Sequence, residues 1–286
     1  MPTDVGGRLL SNEKMSSTNS KNIKQFQGTV WAYYRVHSRN HLPWRKTKNP
    51  YRILVSEIML QQTQVDRVIP LYLKFIQRYP TPQKLAEAPL SQVLIAWQGL
   101  GYNRRAKMLH ETAKRIQKSN MPRTIEELKT LPGIGPYTAG AVAAFAYNQD
   151  SILIETNIRT ALMEHFFPRK TNVSDIQLAR VLETVLPKGH AREWYAALMD
   201  YGAHLKRSGI SHNARSRHHV PQSKFTGSLR EARGSILREL TKGPATRTHL
   251  VNLFGSQRRS HTTKALEALK TEGFIELSDR RFVLAD

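Results

Sequence analysis

The chain of 286 residues contains no cysteine. It therefore has no disulfide, and no thiolate to hold a zinc ion or an iron–sulfur centre. Acidic residues are scarce: 22 Asp+Glu against 44 Lys+Arg leave a formal net charge of +22. A surplus of that size points to a polyanionic partner, nucleic acid first. A membrane surface is the other polyanion, but no long apolar run or lipidation motif supports it. Residues 1–22 are polar, rich in Ser, Asn and Lys, and lack the apolar core of a signal peptide. They read as a flexible tail on a soluble intracellular, cytoplasmic protein. Hydrophobic residues, at 40%, suffice for a core, and the length suits two domains or one large helical domain with a small appendage.

The most informative stretch is residues 124–160, and within it LPGIGPYTAG, residues 131–140. Thr124 with Glu127 three residues on forms a capping-box pattern that opens a short helix over residues 125–130. Pro132, Gly133 and Gly135 interrupt it as a tight turn, and Pro136 suits the first position of a second helix. This predicts a helix–turn–helix whose turn presents backbone N–H groups at a positive helix end, an anion site suited to a nucleic-acid phosphate. A loop follows, then ILIETNIRTAL, which sets Glu155, Asn157 and Arg159 just after a short apolar run.

Elsewhere the apolar spacing predicts helices over residues 24–40, 52–62, 64–79, 83–88, 90–97, 103–119, 178–186 and 192–206, with prolines at 43, 50, 80, 82 and 89 as breaks. No alternating strand pattern occurs before residue 270. Residues 207–227 are polar and basic, a linker or a loop draped over the helical body. His212, His218 and His219 in it lack carboxylates or cysteines at ligand spacing, so they read as a solvated basic loop rather than a metal site. Residues 228–286 predict three helices and a β-hairpin around residues 278–279. That order resembles a winged helix, with Arg258, Arg259, His261 and Lys264 at the start of the third helix.

LPGIGPYTAG resembles the helix–hairpin–helix of DNA glycosylases related to endonuclease III. LPWR (residues 42–45), SEIMLQQTQV (56–65) and GLGYNRRA (99–106) resemble the adenine-DNA glycosylase, or MutY, branch. The likeness implies an all-α helix–hairpin–helix glycosylase domain over residues 23–206, followed by the linker and a small α+β winged-helix-like domain over 228–286. It implies that Glu57 is the general acid that protonates a flipped-out purine, its apolar helix suiting a raised pKa. It places Glu155 where the family has aspartate, opposite the developing charge of the sugar, with Asn157 beside it. Tyr137 stands where bifunctional relatives have a Schiff-base lysine, so the chain is expected to be monofunctional. Gln61, Gln62 and Tyr102 match positions that wedge into the base stack, and Trp44 and Arg45 match pocket or strand contacts. Arg104, Arg105, Arg159 and the turn glycines Gly133 and Gly135 are expected along the phosphates. Asp200 matches a residue that braces a helix.

The family's four cluster cysteines begin near Lys206, and none is present, so the expected cofactor is none, apart from a potassium or sodium ion on carbonyls of the 131–135 turn. The C-terminal domain of the MutY-like enzymes, which resembles Nudix hydrolases, has no counterpart in residues 228–286. The expected function is base-excision repair: hydrolysis of the N-glycosidic bond of adenine opposite guanine or 8-oxoguanine in double-stranded DNA. The expected state is a monomer, nucleoid-associated if the source is bacterial. The alternatives are a mismatch uracil or thymine glycosylase and a non-catalytic lesion-binding protein of the same fold.

Overall fold

The structure, a computed structural model, describes residues 6–117, 120–217 and 224–286, with backbone alone for 6–19. The first five residues of the expected tail, Lys118 of the basic helix, and His218 and His219 of the linker lie outside the described residues. In chain order the helices are α1 (Gly6–His37), α2 (Pro50–Leu60), α3 (Val65–Arg78), α4 (Pro82–Glu87), α5 (Leu90–Ala96), α6 (Arg104–Ile116) and α7 (Ile125–Lys129). They continue with α8 (Pro136–Tyr147), α9 (Thr156–Phe166), α10 (Asp175–Val185), α11 (Ala191–Arg207), α12 (Leu229–Leu240), α13 (Arg247–Val251) and α14 (Arg259–Thr271). A hairpin closes the described chain, β1 (Ile275–Ser278) and β2 (Arg281–Leu284).

Local chemistry sets most of these boundaries. Pro50, Pro82 and Pro136 each occupy the first helical position, where a missing N–H costs nothing. Asn49, Thr81, Ser228 and Thr246 cap the helices that follow them through their side-chain oxygens. Thr124 with Glu127 and Ser174 with Gln177 make reciprocal capping boxes. Several boundaries differ from the sequence pattern: α2 begins at Pro50 rather than residue 52, and α10 at Asp175 rather than 178. Helix α1 begins at Gly6, inside the stretch expected to be a tail. The hairpin turns at Asp279 and Arg280, one residue later than the pattern suggests. Both are left-handed (φ 47° and 62°), the pairing that lets a two-residue turn follow the strand twist.

The chain divides into two compact units. The first, residues 1–41 and 143–220, packs α11 against α9 and α1. Phe26 meets Phe166 and Trp194 edge-on, and Ile158, Leu162, Leu182 and Leu198 complete its core. Asp200, 1% exposed, accepts from the backbone N–H and the guanidinium of Arg39, and so braces α11 against the segment after α1. The basic segment after α11 lies on this unit: Val173 bridges Ser216, Arg215 donates to the Pro168 carbonyl, and His212 pairs with Glu164. Among the described residues no cluster of His, Cys, Asp or Glu forms a metal site.

The second unit, residues 42–142 and 221–286, is ordered by α6. Helix α6 packs on α2, α4 and α5 through Ala106, Leu109, Ala113 and Ile116, all buried. The α12–α14 helices and the hairpin have their own core in Ile236, Leu240, Leu266, Leu269, Phe274 and Phe282. This winged-helix-like module lies against α6. Lys107 donates to the carbonyls of Glu272 and Gly273 and sits over the Phe274 ring, while Arg233 pairs with Glu272.

Candidate active site and DNA-contact loops

Each unit carries one of the two candidate carboxylates. In the second unit Glu57 sits in α2, whose residues Tyr51–Met59 are all buried except Arg52. Glu57 is itself only 7% exposed. The Tyr137 hydroxyl donates to Glu57 Oε2 at 3.3 Å. One turn along α2, the Gln61 amide donates to Thr138 Oγ1 at 3.2 Å. Two consecutive residues at the start of α8 thus grip Glu57 on α2 and Gln61 just past its end. The arrangement gives the Glu57 carboxyl a largely buried site and a fixed direction. Tyr137, expected from the family resemblance alone, is a direct partner of Glu57.

Gln62 and Tyr102 are presented in the same unusual way. Both are non-glycine residues with left-handed backbones, φ 53° and 48°. Gln62 is exposed and Tyr102 half-buried. Between their loops lies Arg105, which donates to the carbonyls of Ile58, Met59, Gln61, Leu100 and Gly101 and to the Thr63 hydroxyl. It satisfies the last-turn carbonyls of α2 and staples that end to the glycine loop. Burial lowers its guanidinium to about 10, so it remains charged at neutral pH. Arg105, expected along the phosphates, is thus committed to oxygens of its own fold, whereas its neighbour Arg104 is exposed. Tyr102 also receives the Arg230 guanidinium from α12, which donates to its hydroxyl and lies 5.2 Å from the ring centroid; Arg105 lies 5.3 Å from it.

The hairpin turn is held from α6. Thr112 donates to the Pro132 carbonyl at 2.9 Å, and Arg115 donates to the Thr130 carbonyl. Gly133 is exposed and left-handed (φ 73°), and a Cβ there would come within 2.6 Å of Met108 Cβ. Only glycine lets α6 and the turn meet this closely. Gly135 is exposed with open space around it. Trp44, in a 3-10 turn, sets its ring edge-on to Tyr72 at 5.5 Å, and Arg45 beside it is half-buried.

In the first unit Glu155 is the N-cap of α9. Its Oε1 accepts from the backbone N–H groups of Asn157 and Ile158, each at 2.7 Å. Its Oε2 accepts from the Asn157 amide at 3.2 Å and the Thr156 hydroxyl at 3.3 Å. Two backbone donors, two side-chain donors and the positive end of α9 therefore fix a carboxylate in one orientation. Arg159, expected among the DNA contacts, is committed elsewhere. Its guanidinium pairs with Asp175 and donates to the Ser216 hydroxyl, and only 12% of the side chain is exposed. It ties α9 to α10 and the following basic segment.

Two residues on α11 escape a reading by motif. A Cβ at Gly202 would overlap the backbone carbonyl of Asn157, so α11 touches the first turn of α9 directly. One turn later Lys206 Nζ donates to Thr156 Oγ1 at 2.7 Å. The i, i+4 spacing of glycine and lysine is visible in the sequence; the helix they face is not.

Known proteins agree with this architecture. Residues 55–188 match the HhH-GPD superfamily of base excision DNA repair proteins. The chain is 37% identical over 274 residues to the adenine DNA glycosylase of Mycolicibacterium smegmatis, covering 87% of this chain and 92% of that protein. It is 40% identical over 185 residues to the adenine DNA glycosylase of Buchnera aphidicola, covering 62% of this chain but about half, 52%, of the relative. A thermostable thymine-DNA glycosylase of known structure superposes with a TM-score of 0.57 at 28% identity, over 64% of this chain and 87% of the other. The chain belongs to the HhH-GPD superfamily of base excision DNA repair proteins, within its adenine DNA glycosylase branch.

Proposed function

We propose that the chain is a monofunctional DNA glycosylase that removes adenine mispaired with guanine or 8-oxoguanine from double-stranded DNA. The observation that carries this reading is Glu57, buried on α2 and held by Tyr137. Glu57 protonates the ring of the flipped adenine, which makes the base a better leaving group. Glu155, fixed at the head of α9, opposes the positive charge that develops on the sugar and orients the water that completes hydrolysis. Tyr137 offers no amine, so no Schiff base forms there and the strand is left intact. Gln62 and Tyr102 contact the stack around the extruded base, and the exposed hairpin glycines and Arg104 meet phosphates.

With no cysteine, these 286 residues cannot hold a thiolate-bound iron–sulfur cluster. A monovalent cation fits better. The Leu131 carbonyl accepts from the Ile134 N–H and the Pro132 carbonyl from Thr112, leaving each a lone pair. Carbonyls of residues 131–135 would hold the ion, which would add positive charge beneath a phosphate. The chain acts as a monomer in the cytoplasm, on the nucleoid if bacterial.

The test is single-turnover excision, followed by hot alkali, from duplexes holding adenine opposite 8-oxoguanine, adenine opposite guanine, and thymine or uracil opposite guanine. Release of adenine is the expected result. Release of thymine or uracil alone would favour the second reading, to which the likeness to a thymine-DNA glycosylase lends support. Binding without release of any base would make the chain a lesion-binding protein.

A further inference from the structure

Helix α11 meets the N-terminus of α9 along one edge. Gly202 removes every side-chain atom from the approach, so the backbones touch at Asn157. One turn on, the Lys206 stem continues along the same edge and its ammonium reaches Thr156 Oγ1 at 2.7 Å. An ammonium only donates, so the hydroxyl must accept from it, and its own proton is turned toward Glu155 Oε2, 3.3 Å away. We infer that Lys206 is a positioning residue for Glu155, acting through the Thr156 hydroxyl to fix the second carboxylate oxygen and to set positive charge behind it. This rests on the reading of Glu155 as the carboxylate that faces the sugar cation.

The surroundings give the arrangement a pH signature. Burial lowers the Lys206 ammonium below the ordinary lysine range, and Glu155, the charged group facing it from α9, pulls the other way. From α1, Tyr33 lies tilted against His37 and stacks on His204, two residues before Lys206. Because the unfolded chain binds this proton more tightly, protonated Lys206 opposes folding at neutral pH. That burden lifts as the pH rises from the folded-state value to the ordinary one.

The experiment measures single-turnover excision at saturating protein, duplex affinity, thermal midpoint and the rate–pH profile for wild type, Lys206→Met, Lys206→Arg, Thr156→Val and Glu155→Gln. Lys206→Met should slow excision by about tenfold to a hundredfold, the scale of a small misplacement of a reacting group. Its duplex affinity and midpoint should not fall. The wild-type profile should lose rate on its alkaline side below the ordinary lysine range. Lys206→Met should lack that limb, and Lys206→Arg should keep part of the rate while moving the limb upward. Thr156→Val should slow excision with Lys206 in place. If Lys206→Met and Thr156→Val excise at the wild-type rate while Glu155→Gln is slow, the inference fails and the proposed function stands. Should the Lys206→Met loss lie in affinity alone, Lys206 is a phosphate contact and the inference is overturned. A Glu155→Gln variant as fast as wild type removes the role of Glu155 itself.

Discussion

At Glu57 the carboxyl lies on an apolar helix and accepts from a phenol; at Glu155 it accepts from backbone and side-chain donors at a helix end. Surroundings this different suit the different duties proposed for the two carboxylates. Glu57→Gln and Glu155→Gln should each lower single-turnover excision by orders of magnitude while leaving duplex affinity nearly unchanged, since neither carboxylate contacts phosphate. Equal loss of affinity would contradict that division. Glu155→Asp is more discriminating. Aspartate is a strong N-cap, so the thermal midpoint should hold. Its shorter stem retreats from the Thr156 and Asn157 side chains, so excision should slow; a faster variant would mean that glutamate is the detuned residue.

Among the elements, α6 does the most positioning. Arg105, Met108, Thr112 and Arg115 lie along one stripe, which meets first the end of α2 and then the hairpin turn. Arg105→Ala should leave buried carbonyls without a donor. It should cost about 1–3 kcal/mol per carbonyl that water cannot reach, measured by chemical denaturation, and should impair excision through the loops at Gln62 and Tyr102. Gly202→Ala should be at least as harmful, because its methyl would strike backbone rather than a movable side chain. These same contacts mark the limit of what sequence conveys. Helix starts are legible where proline and capping residues act within four positions of themselves, as at Thr124 and Pro136, whereas the helices at Pro50 and Ser174 begin earlier than the apolar spacing predicts. The Glu57 and Glu155 segments were legible through motif resemblance. Arg104 and Arg105 read alike, yet successive helical residues point about 100° apart, and only packing decides which one turns inward. Tyr102 with Arg230, 128 positions apart, and Thr156 with Lys206, 50 apart, depend on helices meeting across the fold, which no local pattern encodes.

For the molecule as a whole, the surplus of 22 positive charges should make DNA affinity fall steeply with salt. Each neutralised phosphate contributes about 0.9 to the slope of log affinity against log salt. In the winged-helix-like module Arg259 and Lys264 on α14 and Arg280 at the hairpin turn are exposed, whereas Arg258 is paired with Glu231. Arg259→Glu with Lys264→Glu should therefore flatten the slope and weaken all duplexes alike, while Arg258→Ala should act mainly on stability. An unchanged slope in the double variant would mean that α14 does not touch DNA. The left-handed backbones at Gln62 and Tyr102 bear on the molecule in another way. A side chain in that conformation stores strain of about 1–3 kcal/mol, sustained only because Arg105 and its carbonyls over-determine the loops. Gln62→Gly should release part of it and raise the thermal midpoint, while excision falls for want of the amide. The protein is held below the stability its own fold would allow, and the shortfall is stored in the two loops proposed to meet the base stack.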